Sequence, residues 1–321
     1  MNHSFCSPPR ERKAGVKRSI KIILLIGIST AMSLTGCSSN SSSNSSSTNI
    51  SINVFASTNV WGSVVKAVGG PQVSVTSAIT KPEQDPHNYE VTAQDKLAAK
   101  SAKLTIVNGG GYDDWATKVI TSSGTSAKSI NAVDVSGLAK PGDKNFNEHV
   151  FFSIGAVQKI ADKIAADLGM IDSKSKQKYL DNATAFSAKL DALKMQAAGV
   201  GTSRPELTAV ATEPVVGYLL ADMGIDNVTP ANFVAQSESD AGPSAATLND
   251  TVKVITEGKA KLLVLNGQTE DSVSSKLSDA ATGAAVPIVK VYETFPAGVD
   301  DYIAFMSQTV KAFSNAAASV K

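Results

Sequence analysis

The chain has 321 residues, 42% hydrophobic and 18% charged, which is enough apolar material for one large or two smaller packed units and too much for a disordered chain. Its formal charge is +1, but six basic residues (Arg10, Arg12, Lys13, Lys17, Arg18, Lys21) and one acid (Glu11) precede Cys37; without them 24 basic residues face 28 acidic ones, a net of −4. No basic stripe is left to neutralise phosphates, so nucleic acid is excluded as a partner and small cations fit better.

The basic start is followed by Ile22 to Leu34, an apolar run of about 13 residues where crossing a bilayer takes about 20, and residues 1–36 read as a secretory signal. Leu34-Thr35-Gly36-Cys37 resembles the bacterial lipobox, whose cysteine is lipidated and becomes the first mature residue. Cys6 would leave with the signal, so the mature chain has no partner for a disulfide. Ser38 to Asn49 contains only Ser, Asn and Thr, cannot bury apolar surface, and makes 37–49 a solvated tether. These features predict a protein hanging by a lipid from the outer face of a cell membrane.

From Ile50 onward, β-branched runs alternate with helical patterns. Strands are predicted at Ile50 to Ala56, Val73 to Ile79, Leu104 to Asn108, Leu207 to Thr212, Ala260 to Asn266 and Val286 to Tyr292. Between them, Val157, Ile160, Ala161, Ile164 and Leu168 recur at helical spacing, with Gly169 as a stop. Such alternation implies βαβ units and mainly parallel sheets. One segment differs: from Asp172 to Ala198 there is no Gly, Pro or strand signal, while Tyr179, Leu180, Ala183, Phe186, Leu190 and Leu193 keep helical spacing. The expected fold is therefore α/β, with an N-terminal lobe over 50–171, a rigid linking helix over 172–199 and a C-terminal lobe over 200–321. An ordinary long helix packed on a single domain is the other reading of that segment.

Once His3 leaves with the signal, two histidines remain. His87 stands in Asp85-Pro86-His87-Asn88-Tyr89-Glu90, ahead of Thr92 and Asp95, which read as a capping box opening a helix. His149 follows Asn147-Glu148, just before the helix at Ile154. Each could be an ordinary surface residue, but two histidines at element edges of a secreted chain fit a site for Mn, Fe, Zn or Cu. Glu213 and Glu293 end predicted parallel strands, where ligand sites of open α/β sheets form. Glu213 could instead serve a helix starting at Pro214, and Glu293 a solvated turn. Two neutral imidazoles and two carboxylates would balance a divalent ion, offsetting much of its desolvation cost.

The folded region resembles the metal-binding lipoproteins of manganese and zinc ABC importers. The resemblance rests on Asn59-Val60-Trp61-Gly62, Val68-Gly69-Gly70, the stretch from Asp85 to Glu90, Asn108-Gly109-Gly110-Gly111, Asn147-Glu148-His149, Thr212-Glu213 and Glu293-Thr294, in the family's order. It implies two α/β lobes joined by one long helix, a metal site in the interlobe cleft with His87, His149, Glu213 and Glu293 as ligands, and a monomer that hands one divalent ion to an importer permease. Glu148 stands where many relatives carry Pro, and Glu293 where many carry Asp. Glu at the third ligand position and the lack of a His-rich loop lean towards Mn²⁺ or Fe²⁺, although Zn²⁺ binds such donors more tightly than Mn²⁺.

Two other function classes fit the sequence less well. A secreted metallohydrolase would keep an open coordination position with an acid or base beside it, and the chain has neither a zinc-protease helix motif nor a nucleophile elbow. A surface adhesin, a label some relatives carry, is permitted by the tether, but no repeat or aromatic motif argues for it.

Overall fold

A computed structural model describes residues 51–140, 146–237, 239 and 241–320; the signal segment, the lipobox with Cys37 and the Ser-rich tether lie outside the described residues. The first half runs β1 (Ile52–Thr58), α1 (Asn59–Gly69), β2 (Val73–Ile79), α2 (Ala93–Ser101), β3 (Leu104–Val107), α3 (Asp114–Ser123), β4 (Lys128–Asn131), α4 (Ala132–Ser136), α5 (Ile154–Ile171) and α6 (Lys176–Ser203). The second half runs β5 (Thr208–Ala211), α7 (Gly217–Met223), β6 (Asp226–Asn227), α8 (Ala231–Ser237), α9 (Ala245–Thr256), β7 (Leu262–Asn266), α10 (Ser272–Gly283), β8 (Ile288–Val291) and α11 (Tyr302–Ser319). The chain thus forms two α/β lobes with the long α6 between them in sequence.

Each lobe holds a sheet of four parallel strands, ordered β2-β1-β3-β4 and β6-β5-β7-β8. Val54 pairs with Val75 on one side and Leu104 on the other; Val264 lies between Ala211 and Val289. Side chains alternate across each sheet, as the period of two requires. Val54, Ala56, Leu104 and Ile106 point inward, while Phe55 and Val107 meet Ala99, Ala116 and Val119 under α2 and α3. In the second sheet Ala209, Ala211, Leu262 and Val264 point inward, and Val210 and Leu263 meet Leu248, Ile255 and Leu277 outside.

The inward faces of both sheets join one continuous apolar core with Trp61, Phe152, Ile160, Tyr179, Leu190, Leu220 and Phe305. Burying side chains of this size is worth about 1.5–3 kcal/mol each. Rotating one lobe against the other would expose part of this shared core, so adjustment at the cleft falls to the loops on its rim.

The helix expected over 172–199 is α6, 28 residues and about 42 Å long at 1.5 Å per residue. Tyr179, Ala183, Phe186, Leu190, Leu193, Ala197 and Val200 form its buried stripe, in steps of four and three; Leu180, expected in that stripe, is 38% exposed. It starts after a short 3₁₀ turn at Ser173–Ser175 and runs on through Gly199 and Gly201. Gly in a helix costs only about 1 kcal/mol relative to Ala, and packing outweighs it here. A Cβ on Gly201 would fall 2.0 Å from the carbonyl oxygen of Met223, so only Gly allows α7 this close.

The structure corrects other expectations. Gly169 does not stop α5, which continues to Ile171; a Cβ there would lie 2.9 Å from Lys176 Cγ, so the residue serves the close entry into α6. No helix begins at Pro214, since α7 starts at Gly217. The strands expected from Ile50, Leu207, Ala260 and Val286 begin one or two residues later, and those expected to reach Asn108, Thr212 and Tyr292 end one residue earlier. Two edge strands, β4 and β6, were not expected because Lys128, Ser129, Asn131, Asp226 and Asn227 lack the apolar alternation of a half-buried strand. Among the described residues no helix is long and apolar enough to cross a membrane.

Candidate metal centre

The loop between β2 and α2 carries His87. Asp85 shapes it, its carboxylate accepting from the His87 backbone N–H at 2.8 Å and from Asn88 Nδ2 at 2.9 Å, while the Pro86 carbonyl accepts from Trp115 Nε1 at 2.8 Å. The expected capping box of Thr92 and Asp95 is present and ends the loop at α2. The His87 side chain keeps 32% of its surface exposed, making it the solvent-facing group of the site.

His149 is fully buried just before a 3₁₀ turn at Val150–Phe152. Asn147 orients it. Asn147 Nδ2 donates to the Pro214 carbonyl at 2.8 Å, so its Oδ1 faces the imidazole and receives both the His149 backbone N–H at 3.0 Å and Nδ1 at 2.8 Å. An oxygen fixed as acceptor puts the proton on Nδ1 and turns Nε2 towards the cleft, the arrangement in which an outer partner prepares an imidazole for a metal. Tyr112 forms the wall behind both rings, at centroid distances of 4.9 Å from His87 and 5.6 Å from His149. It follows Gly109, Gly110 and Gly111, whose φ values of 79°, 71° and 97° are open to Gly and strained for other residues.

The carboxylates come from the other lobe, beyond the carboxyl ends of β5 and β8. Glu293 is 2% exposed, and its Oε2 stands 3.5 Å from His149 Nε2 and 3.7 Å from His87 Nε2. One donor atom from each of these three residues lies within 4.8 Å of the others. Glu213 stands beside this trio with both oxygens engaged: Oε1 accepts from the Thr269 hydroxyl and Oε2 from Asn266 Nδ2 at 2.6 Å. The same Nδ2 donates to Glu293 Oε1 at 2.8 Å, so one buried amide at the end of β7 spans the two acids.

Burial would raise Glu293, but hydrogen bonding and charge from His149 and His87 outweigh it and hold this carboxyl far below the usual range. Burial would likewise pull His87 down; Glu293, helped by the charges of Glu148 and Asp85, overrides this and pushes the imidazole up to about 9. Glu213 is raised by burial, against the lowering effect of Asn266 and Thr269, with the Glu293 charge adding to the rise. Burial, then the charges of Glu293 and Asp113, lifts the Tyr112 phenol well above its ordinary value, so it stays neutral and acts as a wall.

Of the four residues singled out in the sequence, the structure brings His87, His149 and Glu293 together and leaves Glu213 one shared amide away. Sequence reasoning passed over Asn266, Gln268, Thr269 and Tyr112, and quoted Asn147 only as a neighbour of His149. A polar Asn closing an apolar strand was a readable signal for Asn266; nothing in the sequence marked Gln268.

Residues 54–316 match the profile of the ZnuA family, described as zinc-uptake complex component A, periplasmic. The chain belongs to this family. It is 24% identical over 317 residues to the zinc-binding lipoprotein AdcA of Streptococcus pneumoniae serotype 4, a match covering 91% of this chain and 60% of AdcA. It thus spans about three fifths of that relative's length. The manganese-binding lipoprotein MntA of Halalkalibacterium halodurans is 22% identical over 305 residues, covering 90% of this chain and 97% of MntA. Among solved structures, the periplasmic zinc-binding protein TroA of Treponema pallidum superposes with a TM-score of 0.72 at 18% identity, over 83% of this chain and 99% of TroA, which establishes the shared fold.

Proposed function

We propose that this chain captures one divalent transition-metal ion in the cleft between its lobes and passes it to the permease of an ABC importer, while a lipid on Cys37 holds it to the outer face of the membrane. His87, His149 and Glu293 are the primary ligands. The observation that carries this reading is the convergence of two imidazole nitrogens and one carboxylate oxygen, at 3.5 and 3.7 Å, from loops of different lobes. Donors bound to one ion at about 2.1 Å stand about 3.4 Å apart in a tetrahedron, so an ion entering this space needs little rearrangement. Glu213 completes the set by turning its Oε1 from Thr269 to the ion, and the two carboxylates then balance the divalent charge.

The relatives named for zinc and manganese support this class of cargo. Imidazole and carboxylate donors accept Mn²⁺, Fe²⁺ and Zn²⁺, with Zn²⁺ bound more tightly than Mn²⁺ and availability selecting among them. Binding without turnover is the favoured reading because four protein ligands leave no position for an activated water.

The test is elemental analysis of soluble protein starting at Ser38, purified without a His tag and equilibrated with each metal in turn. One bound ion per chain is expected, lost in the His149→Ala and Glu293→Ala variants. Absence of stoichiometric metal from the parent protein overturns the reading.

A further inference from the structure

Gln268 is two residues beyond the end of β7, in the second lobe, and every hydrogen-bonding position of its side-chain amide is used. Oε1 accepts the backbone N–H of Glu293 at 2.5 Å and that of Thr294 at 3.0 Å. Nε2 donates to Thr294 Oγ1 at 3.0 Å and, across the cleft, to the carbonyl of Pro82 at 2.7 Å. The amide cannot be reversed, since two N–H groups face the oxygen and two oxygens face the nitrogen. Its own backbone N–H donates to Asn266 Oδ1 at 3.1 Å, which turns Asn266 Nδ2 towards Glu213 and Glu293.

Pro82 lies near the start of the rim loop that carries His87 five residues later, and the other end of Gln268 grips the backbone of Glu293. One neutral side chain therefore links the segments that present the exposed histidine and the buried carboxylate. The loop is also held within its own lobe, by Trp115 on the Pro86 carbonyl and by Tyr89 on Ala78 and Asp95, and the bond from Gln268 reaches it from the second lobe. An open pocket of about 390 Å³ bounded by Pro82, Gln268 and Tyr292 lies beside the link.

We infer that Gln268 is a positioning residue for metal retention: its bond to Pro82 latches the His87 loop over the ion and sets how slowly the ion leaves. This inference rests on the cleft being the metal site. The bond to Pro82 forms without an ion in the cleft, so its loss loosens the loop in the metal-free protein and speeds dissociation once an ion is bound. A net hydrogen bond of about 0.5–1.5 kcal/mol corresponds to roughly 2- to 12-fold in dissociation rate.

Two variants separate the halves of the amide. Gln268→Met keeps the size and loses both halves; Gln268→Glu keeps an acceptor for Glu293 and Thr294 but removes the donor to Pro82, and its added negative charge would by itself hold a cation more firmly. Zn²⁺-loaded protein is mixed with excess 4-(2-pyridylazo)resorcinol and release is followed by absorbance; amide hydrogen exchange over residues 83–90 is measured on the metal-free proteins. Both variants should release Zn²⁺ at least about threefold faster than the parent, with faster exchange in that loop, and Gln268→Met, which leaves the N–H groups of Glu293 and Thr294 without an acceptor, should also melt lower without metal. Faster release by Gln268→Glu, against its charge, identifies the Pro82 bond. Release from both variants within twofold of the parent overturns the latch while leaving the metal site in place; a parent protein that binds no Zn²⁺ fails the functional reading itself.

Discussion

His87 Nε2 and Glu293 Oε2 face each other at 3.7 Å across the cleft, one on a rim loop of the first lobe and the other behind a strand end of the second. With His87 raised to about 9 and Glu293 held low, the metal-free site at neutral pH contains an imidazolium facing a carboxylate. A metal must displace that proton. Apparent affinity should therefore climb by up to about tenfold per pH unit between roughly pH 6 and 9. Calorimetric titration in buffers of different ionisation enthalpy should show protons released on metal binding at pH 7; affinity that stays flat from pH 7 to 9 would contradict the pairing.

The same pair makes metal-free stability depend on pH. His87 has a folded value above its unfolded one near 6.5, so its contribution is complete below that pH and fades as pH rises through about 9. Glu293 has a folded value below its unfolded one near 4.5, so its contribution is present above that pH and fades as pH falls further. Melting in EDTA should thus gain most from the pair between about pH 4.5 and 6.5. Glu293→Gln should flatten the profile at both ends; a variant profile that parallels the parent's would argue against the ion pair.

Asn147 should matter through His149. Asn147→Ala removes the acceptor that keeps the proton on Nδ1 and the bond to the Pro214 carbonyl, and metal affinity should fall by roughly 10- to 100-fold. Competition against a chelator of known affinity checks this. Parent-like binding would show that the imidazole is oriented by something else.

Asn266→Ala leaves two carboxylates without their shared donor. Unfolding by urea without metal should lose roughly 1–3 kcal/mol. Saturating Zn²⁺ should recover much of the loss, because the ion then neutralises the same charges. Equal losses with and without metal would mean that the amide serves the fold alone.

Gly201→Ala tests the packing of α6 on α7. The added methyl meets the Met223 carbonyl oxygen, and destabilisation of about 1–3 kcal/mol is expected with little change in metal affinity. Urea denaturation of parent and variant, each with and without Zn²⁺, checks both halves of this expectation.

Much of the fold was legible because buried parallel strands and the stripe of α6 leave strong periodic patterns. Residues such as Val54, Leu263 and Phe186 announce their side of the core. The edge strands β4 and β6 were not legible, since their pairing is held by backbone groups and their side chains are polar. The ligating chemistry of His87, His149 and Glu293 could be read from residue type and strand ends, but their mutual distance could not. Gln268 was invisible for a related reason: a glutamine in a loop acquires a role only when folding brings Pro82 and Glu293 to its two ends.

The most direct measurement is an anomalous difference map from crystals of the protein soaked in Zn²⁺ and recorded at the zinc edge. One peak is predicted in the cleft, about 2.0–2.2 Å from His87 Nε2, His149 Nε2 and Glu293 Oε2, with the Glu213 carboxylate turned from Thr269 onto the ion. A peak away from these atoms, or no peak in the cleft at saturating Zn²⁺, would contradict the account.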